Sequence, residues 1–247
     1  KPAGVPEKKF LARLDRDSEG AVKAGTIFEP DFEVLHAAQP DLIMLGLASH
    51  SHQHELANIA PTINMRVNGT HLVSDGLKRL DEFGRLFGKE AEAAQWHRQT
   101  ETLLADTRAA IAKQGNPKGL VIMVNGGKLA AFGDASYFGW LYRELGITPA
   151  HHDLNAQEHG LPVSFEFLRQ TDPDWLFVVD RTAAVGEVGD SARQVLDNPL
   201  MRQTHAWRQN HIVYLSSDAF IAGGGIRQIQ QDLNTIKTAF EQTARHD

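Results

Sequence analysis

The longest run of regularly spaced apolar residues lies in the middle of the chain, at residues 89–114. Apolar and small residues recur there at steps of three and four, and charged residues occupy the other positions, which predicts an amphipathic helix. Gly88 precedes the run and Gly115-Asn116-Pro117 follows it, and these are residues that end helices. At 1.5 Å per residue the helix would be about 38 Å long. A helix of that length can bridge two lobes of a protein.

The same pattern of apolar and polar residues occurs once before this helix and once after it. Residues 31–35 (DFEVL) are followed, four residues later, by Pro-Asp and an apolar run, and residues 164–168 (SFEFL) are followed in the same way. Asp31 and Ser164 can cap short helices, and each unbroken apolar run predicts a strand buried on both faces. Any two helix-turn-strand units look somewhat alike, but five matched positions in one register favour an internal repeat.

Strand and helix patterns alternate along the rest of the chain. Apolar runs predict strands at 26–28, 42–45, 62–67, 120–124, 129–132, 175–180 and 212–215. Helical spacing predicts helices at 10–14, 72–87, 137–145, 191–196 and 226–240, and a polar loop at 46–54 leads into a helix ending near 59. Asn125-Gly126-Gly127 is a tight-turn sequence, so the flanking strands should form a hairpin. The alternation predicts the α/β class with a parallel sheet.

Composition narrows the range of functions. The chain has 247 residues, 42% of them apolar, which is enough for one large core or two modest ones. A net charge of −6 and the lack of a Lys/Arg run argue against nucleic acid as a partner. No apolar run reaches the roughly 18 residues of a membrane span. The first residues do not resemble a signal peptide, but an exported protein would already have lost that peptide. The absence of cysteine excludes thiol nucleophiles, disulfides and cysteine-ligated zinc.

Candidate binding residues follow the predicted strands. In open α/β sheets ligands lie beyond the carboxyl ends of the strands, here the loops after residues 45, 132, 180 and 215. Arginine, imidazole and aromatic side chains occur in these loops, namely His50, His52, His54, Tyr137, Arg181 and Phe220. His159 lies just before the second repeat copy. This set suits an anionic or metal-bearing ligand held by charge and stacking.

Two groups of side chains have two interpretations each. His50, His52 and His54 have a spacing that can share a zinc or copper ion, and the same spacing occurs in solvated loops. Glu33 and Glu166 occupy equivalent places in the two repeat copies, where the dipole of a helix start favours a carboxylate. The alternative for these glutamates is a pair of contacts, one from each lobe, to a partner with two-fold symmetry.

Sequence motifs of enzymes are absent. The chain has no Gly-x-Ser-x-Gly elbow, no His-Glu-x-x-His and no phosphate-loop lysine, and Gly223-Gly224-Gly225 lacks the spacing of a dinucleotide fingerprint. Asn125-Gly126-Gly127-Lys128 is better explained as a hairpin turn than as a phosphate cradle. We therefore expect a binding protein and not an enzyme.

Seven phrases together resemble one known family. They are EPDFE at 29–33, PDLI at 40–43, IAPTI at 59–63, HGLPVSFE at 159–166, PDWLFVVDR at 173–181, VLDN at 195–198 and AGGG at 222–225. The chain resembles the periplasmic substrate-binding proteins of iron-siderophore ABC transporters, in particular the ferric-catecholate branch. The resemblance implies a class III binding protein, with two Rossmann-like α/β lobes joined by a single long rigid helix and a ligand cleft between the lobes.

The resemblance also implies a domain organisation and a setting. The N-terminal α/β lobe would span 1–88, the linking helix 89–115 and the C-terminal α/β lobe 116–247. Family members normally begin with one further strand and helix, which the N-terminal lobe here is expected to lack. The protein would be a monomer in the periplasm, or lipid-anchored outside the cytoplasmic membrane. Glu33 and Glu166 would dock onto arginines of the two subunits of the ABC transporter permease.

Departures from the family pattern concern the ligand site. Catecholate binders often place three arginines around the ferric centre, and these positions fall near Leu47, at Tyr137 and at Arg181. Relatives that complete the iron shell of an incomplete siderophore use a histidine, matched by His159, and a tyrosine, replaced here by Phe220. The expected ligand-binding residues are therefore Arg181, His159, Tyr137, Phe220, His50, His52, Leu47 and Trp140. His159 is the candidate iron ligand, direct or indirect, and no intrinsic cofactor is expected because the ferric iron arrives with the siderophore.

Three functions remain in competition at this point. The leading prediction is a binding protein that captures a ferric siderophore, catecholate or related, and delivers it to an ABC importer. The first alternative is a binding protein for bare zinc, another metal or haem that uses the His-rich loop. The second is a metal-dependent hydrolase of the same α/β build, disfavoured because no base, nucleophile and orienting group are visible together.

Overall fold

The computed structural model describes residues 2–6, 18–152, 154, 160–181, 191–215 and 224–243, with the side chains of Leu47 and Ala48 excepted. These residues form two compact units, Lys1–Val67 and Asn68–Asp247. Both units combine strands and helices, which confirms the predicted α/β class. The division into a lobe, a linking helix and a second lobe stays a prediction.

The first unit is built on two pairs of parallel strands. Its elements are β1 (Gly4–Val5), β2 (Val22–Lys23), α1 (Phe32–Ala38), β3 (Ile43–Leu45), a 3-10 helix (Leu47–His52), α2 (Gln53–Leu56) and β4 (Thr62–Asn64). Strand β1 pairs with β2, and β3 pairs with β4. The core of the unit lies between β3 and the helices, where Leu45 and Leu56 are buried and Phe32 packs against them.

The second unit carries the larger sheet. Its elements are α3 (Leu72–Leu86), α4 (Glu90–Ala112), β5 (Lys118–Asn125), β6 (Lys128–Phe132), α5 (Trp140–Arg143), β7 (Thr148–Pro149), β8 (Leu161–Val163), α6 (Phe165–Thr171), β9 (Trp175–Asp180), α7 (Ala192–Leu196), α8 (His205–Arg208), β10 (Ile212–Leu215) and α9 (Ile226–Thr243). Short 3-10 helices occur at Gly69–His71 and Met201–Gln203.

The sheet of the second unit is mixed. Its strand order is β10-β9-β5-β6-β8, and β7 pairs with the start of β5. Strands β10, β9 and β5 are parallel, whereas β6 is antiparallel to β5 because only two residues connect them. Those residues, Gly126 and Gly127, have φ angles of 53° and 80°, the left-handed backbone that a tight hairpin turn requires. The hairpin prediction is confirmed. The parallel sheet predicted from the alternation holds for β10, β9 and β5, and β6 is antiparallel to both of its neighbours, β5 and β8.

The predicted long helix is confirmed as α4. It spans Glu90–Ala112, which is 23 residues or about 34 Å. Gly115 and Asn116 follow with φ angles of 74° and 54°, and this left-handed backbone ends a helix. The helix packs against α3 and α9, and Gln230 of α9 donates a hydrogen bond to Thr100 Oγ1 at 2.8 Å. Within the second unit, α4 is therefore one member of a three-helix layer.

The two repeat copies have helices of the same length with the same backbone conformation at their ends. Helices α1 and α6 each have seven residues, with Asp31 and Ser164 as side-chain caps at their starts. Gln39 and Asp172, 133 residues apart (172 − 39), end the two helices in the left-handed region with φ angles of 43° and 42°. Each helix is followed by a parallel strand, β3 or β9. The predicted helix-turn-strand repeat is confirmed, but only β9 is buried on both faces as predicted, because Met44 of β3 is 52% exposed.

Several local predictions need correction. Residues 26–28 form a turn and not a strand, because Thr26 Oγ1 accepts hydrogen bonds from the backbone N–H groups of Phe28 and Glu29. Residues 47–56, expected to begin as a loop, form a continuous 3-10 and α-helical segment. The strand predicted at 62–67 ends at Asn64, and the helix predicted at 137–145 is reduced to Trp140–Arg143. The helix predicted at 10–14 lies outside the described residues.

Candidate functional site

Two strands of the second unit bring polar residues together where they end. The register of β5 and β9 pairs Val124 with Asp180, so Asn125 and Arg181 are the next residues along two neighbouring parallel strands. Leu215, at the end of β10, pairs with Val179 on the other side of β9. The carboxyl ends of β5, β9 and β10 therefore form one edge of the sheet, the edge at which ligands bind in open α/β folds.

Arg181 is a cation that the described residues place at this edge. It is half-buried, and its Nη1 donates a hydrogen bond to Asn125 Oδ1 at 3.3 Å. The neighbouring carboxylate of Asp180 is directed elsewhere, since its Oδ2 accepts a hydrogen bond from the backbone N–H of Ala192 at 2.7 Å, at the start of α7. Within the residues that the structure describes, Arg181 forms no ion pair. The guanidinium is thus oriented without a carboxylate among its described contacts.

Tyr137 does not follow a strand that ends at this edge. It comes after β6, and β6 runs antiparallel to β5, so the carboxyl end of β6 points to the opposite edge of the sheet. Burial raises the pKa of the Tyr137 phenol to about 12, and the negative charge of Asp232 adds to the effect while Arg79 opposes it. The phenol is therefore neutral at physiological pH. The reasoning that grouped it with the loops after β9 and β10 was wrong about strand direction, and its contact with a ligand stays a prediction.

The other aromatic residues near Tyr137 belong to the core. Trp140 is 2% exposed, and Phe138 packs edge-on against both Tyr137 and Phe132. The Tyr142 hydroxyl donates to the carbonyl oxygen of Phe132 at 2.9 Å and accepts from the backbone N–H of Val121 at 3.0 Å. Burial of Trp140 argues against the predicted ligand contact through this side chain.

The histidines of the first unit are placed on a helical segment. His50 and His54 are exposed, whereas His52 is half-buried and packs edge-on against Phe32. The ring of His52 lies between two carboxylates, with Nδ1 3.0 Å from Glu55 Oε2 and Nε2 3.8 Å from Glu29 Oε2. Across the described ranges no three His, Asp or Glu side chains converge as ligands for a metal ion. The bare-metal alternative gains no support from His50, His52 and His54.

Of the remaining predicted site residues, the structure describes the two glutamates and leaves two residues and the side chain of a third outside its described part. His159 and Phe220 lie outside the described residues, as does the side chain of Leu47. Glu33 and Glu166 are exposed in the first turns of α1 and α6. Their equivalent places follow from the repeat, and their contact with a permease stays a prediction.

Asn125 is the residue at this edge that sequence reasoning missed. It was assigned to the hairpin turn alone, although it also ends a buried strand next to the strand that ends in Arg181. The turn sequence gave the position of the strand end, and only the pairing of β5 with β9 places Asn125 beside the guanidinium.

Comparison with known proteins identifies the family. Residues 3–219 match the family model described as periplasmic binding protein. The chain belongs to this family. Membership confirms the prediction of a binding protein rather than an enzyme. Among the helices that the structure describes, none has the length and apolar character of a membrane span.

Relatives of this periplasmic binding protein extend over most of its length. It is 32% identical to the petrobactin-binding protein YclQ of Bacillus subtilis over 97% of the chain and 75% of the relative. It is 30% identical to the ferric-anguibactin-binding protein FatB of Vibrio anguillarum over 88% of the chain and 69% of the relative. The fold matches the crystal structure of YclQ with a TM-score of 0.88, covering 97% of this chain and 84% of that one.

A third relative is known from its structure. The periplasmic catecholate-siderophore binding protein VctP of Vibrio cholerae matches with a TM-score of 0.88 at 28% identity, over 96% of this chain and 86% of that chain. The likenesses extend across both compact units of the periplasmic binding protein.

Proposed function

We propose that this periplasmic binding protein captures a ferric siderophore outside the cytoplasmic membrane and delivers it to an ABC importer. The observation that carries the proposal is the similarity, over 97% and 88% of the chain, to proteins named for binding petrobactin and ferric anguibactin. The placement of Arg181 at the carboxyl edge of the sheet supports an anionic ligand.

The chemistry of the edge fits deprotonated siderophore oxygens. A guanidinium presents several N–H donors in one plane and keeps its charge at any physiological pH. Hydrogen bonds from such a group to an anionic oxygen are shorter and stronger than those between neutral partners. Arg181 would hold the oxygen-rich face of the complex, and the ferric iron travels as cargo with its chelator, so the protein needs no resident cofactor.

The remaining contacts are proposed with different support. Tyr137 is proposed on its family position alone, because β6 ends at the edge of the sheet opposite Arg181, and His50 and His52 are proposed for the imidazoles of their helical segment. His159 is the proposed iron ligand and Phe220 its apolar companion, on the family positions alone. The location of the ligand between two lobes rests on the same resemblance.

The partner is proposed to be an ABC permease dimer in the membrane. A monomeric binding protein with one exposed glutamate on each of two equivalent helices can present Glu33 and Glu166 to two permease subunits at once. We further propose that the protein works in the periplasm or is held outside the membrane by a lipid anchor.

One titration separates the candidate ligands. The chain has four tryptophans, so quenching of their fluorescence can be followed with ferric petrobactin, a ferric catecholate, a ferric hydroxamate, ferric citrate, zinc chloride and haem. We expect sub-micromolar quenching by at least one ferric siderophore, which corresponds to more than about 8 kcal/mol of binding free energy. Sub-micromolar quenching by zinc or haem alone would contradict the proposal.

A further inference from the structure

We propose that Asn125 is the positioning residue of Arg181: it orients the guanidinium through an uncharged acceptor and leaves the positive charge available to the anionic ligand. The inference rests on the proposed function, because it assigns to Asn125 a part in binding a ferric siderophore. Its basis is the 3.3 Å hydrogen bond from Arg181 Nη1 to Asn125 Oδ1.

The backbone of Asn125 is held from both sides. On one side β5 pairs with β9 up to Val124 and Asp180, and on the other side Asn125 itself pairs with Lys128 as the last pair of the hairpin. The two-residue turn through Gly126 and Gly127 prevents the strand end from shifting, because a tight turn permits one register. The amide acceptor is therefore presented from a rigid position, which is what a group that orients another side chain requires.

The charge of the acceptor matters more than its shape. Aspartate would fit the same place, but its carboxylate would form an ion pair with Arg181 and compete with an anionic ligand for the guanidinium. The carboxylate already next to Arg181, that of Asp180, is engaged by the backbone N–H of Ala192. An amide at position 125 supplies the hydrogen bond without compensating the charge.

Substitutions at position 125 should therefore act through Arg181. Asn125→Asp should weaken binding of an anionic ferric siderophore by about tenfold to a hundredfold, because the ligand must displace an ion pair worth as much as its own contact. Asn125→Ala should weaken it by less, about threefold to tenfold, since the guanidinium keeps its charge and loses its orientation. Both losses should be smaller for a ferric complex without net charge.

The experiment is a double-mutant cycle read by fluorescence titration. Dissociation constants are measured for wild type, Asn125→Ala, Asn125→Asp, Arg181→Gln and the Arg181→Gln/Asn125→Ala double variant, with a trianionic ferric catecholate and with an uncharged ferric hydroxamate. Asn116→Asp is the matched control. Asn116 is exposed just before β5, so this substitution adds the same negative charge at the opposite edge of the sheet. Thermal unfolding of each variant checks folding.

We expect Asn125→Ala to cause no further loss of ligand affinity in the Arg181→Gln background. We expect Asn116→Asp to have the affinity of wild type. Equal losses from Asn125→Ala in both backgrounds would show direct ligand contact and overturn the positioning role. Wild-type affinity in Asn125→Asp would overturn it as well, and if that variant fails to fold, the alanine cycle decides. Failure of wild type to bind any ferric siderophore would instead reject the proposed function, and this inference with it.

Discussion

The pairing of β9 with its neighbouring strands fixes the backbone position of Arg181, and the Asn125 side chain orients its guanidinium. Arg181 follows the last residue of β9, where pairing with β5 and β10 leaves the strand end little freedom. Its only polar contact among the described residues is with the Asn125 amide. A long, flexible side chain is thus partly ordered, which would lower the entropy cost of the ligand contact proposed for Arg181.

Replacing this arginine tests its role directly. Arg181→Ala should weaken ferric siderophore binding by about tenfold to a hundredfold, because charge-assisted hydrogen bonds to an anion contribute about 1.5 to 3 kcal/mol. Arg169→Ala is the control, since Arg169 is exposed on α6 and its loss changes the net charge equally. Fluorescence titration measures both variants. Equal affinity of Arg181→Ala and wild type would remove Arg181 from the ligand site.

Phe220 provides a second test at the scale of one residue. Its ring lacks the phenol oxygen that could ligate iron, so Phe220→Tyr should tighten binding of a tetradentate bis-catecholate ferric complex. A phenolate-to-iron charge-transfer band should then appear in the visible spectrum. The control is the same variant combined with His159→Ala, in which the gain in affinity should shrink. A variant with neither a new band nor tighter binding would show that the family positions do not carry over to Phe220 and His159.

At the scale of elements, helix α3 receives its cap from a residue 70 positions away. His71 offers no side-chain cap, and Glu144, which is 7% exposed, accepts instead from the backbone N–H groups of Val73 and Ser74 at 2.8 and 2.9 Å. The Ser74 hydroxyl donates to the same carboxylate at 2.6 Å. Arg108 of α4 donates to the backbone carbonyl of Glu144. One residue therefore connects the loop after α5 to both helices.

Removal of the Glu144 carboxylate should lower the free energy of unfolding. Glu144→Ala removes the acceptor of the buried Val73 N–H and of the partly buried Ser74 N–H, and it removes a carboxylate from a helix start, so the free energy of unfolding should fall by about 2 to 4 kcal/mol. Glu82→Ala, an exposed change on α3 itself, should alter it by less than about 0.5 kcal/mol. Urea unfolding measures both. A loss below about 1 kcal/mol for Glu144→Ala would mean that water replaces the carboxylate at the cap.

Helices α3 and α4 are also joined by a titratable contact. His97 Nδ1 of α4 lies 2.9 Å from Asp81 Oδ2 of α3, and Nε2 lies 3.5 Å from Glu101 Oε1 of α4. The hydrogen bond to Asp81 raises the pKa of His97, with the charges of Asp81 and Glu101 adding to it and burial opposing it. A raised folded pKa means that this stabilisation is fully present below the unfolded pKa of about 6.5 and is lost as pH rises through the folded value.

The pH dependence follows from that sign. His97→Gln should lower the free energy of unfolding by about 0.5 to 1 kcal/mol at pH 5.5 and by less at pH 8.5, because the contact is partly exposed and its stabilisation is lost as pH rises through the raised pKa of His97. Urea unfolding at both pH values gives the two differences. His54→Gln, an exposed change on α2, should show no such trend. An equal loss at both pH values would mean that packing and not charge joins the helices.

At the scale of the whole molecule, the repeat predicts that Glu33 and Glu166 dock the protein onto the proposed ABC permease. Glu33→Ala combined with Glu166→Ala should leave ferric siderophore affinity unchanged, because both carboxylates are exposed at helix starts. Stimulation of the importer's ATPase should fall by about tenfold or more, since ion pairs buried at an interface cost several kcal/mol when one partner is removed. Vesicles containing the importer provide the assay.

The matched control for docking removes the same charge elsewhere. Glu82→Ala combined with Glu90→Ala changes two exposed glutamates on α3 and α4 and should leave ATPase stimulation as in wild type. Loss of siderophore affinity in the Glu33/Glu166 variant would place these residues at the ligand and not at the permease.

Sequence alone was enough for features whose hydrogen bonds close within a few residues. The long helix α4, the caps at Asp31 and Ser164, and the turn at Gly126-Gly127 were all predicted, because each is a choice among local backbone conformations that one to four residues decide. The identity of the repeat followed from the same local signals. Thr26 shows the limit even there, since its hydroxyl folds an apolar stretch into a turn.

Contacts between residues far apart in the chain could be identified only from the folded structure. Asn125 meets Arg181 across 56 residues, and Glu144 caps α3 across 71. The direction of β6 already followed from the predicted hairpin, whereas the pairing of β5 with β9, which places Asn125 beside Arg181, had no local signal in the sequence. Strand order and direction decide which side chains become neighbours, and the hydrophobic pattern of a strand is the same whichever strand lies beside it.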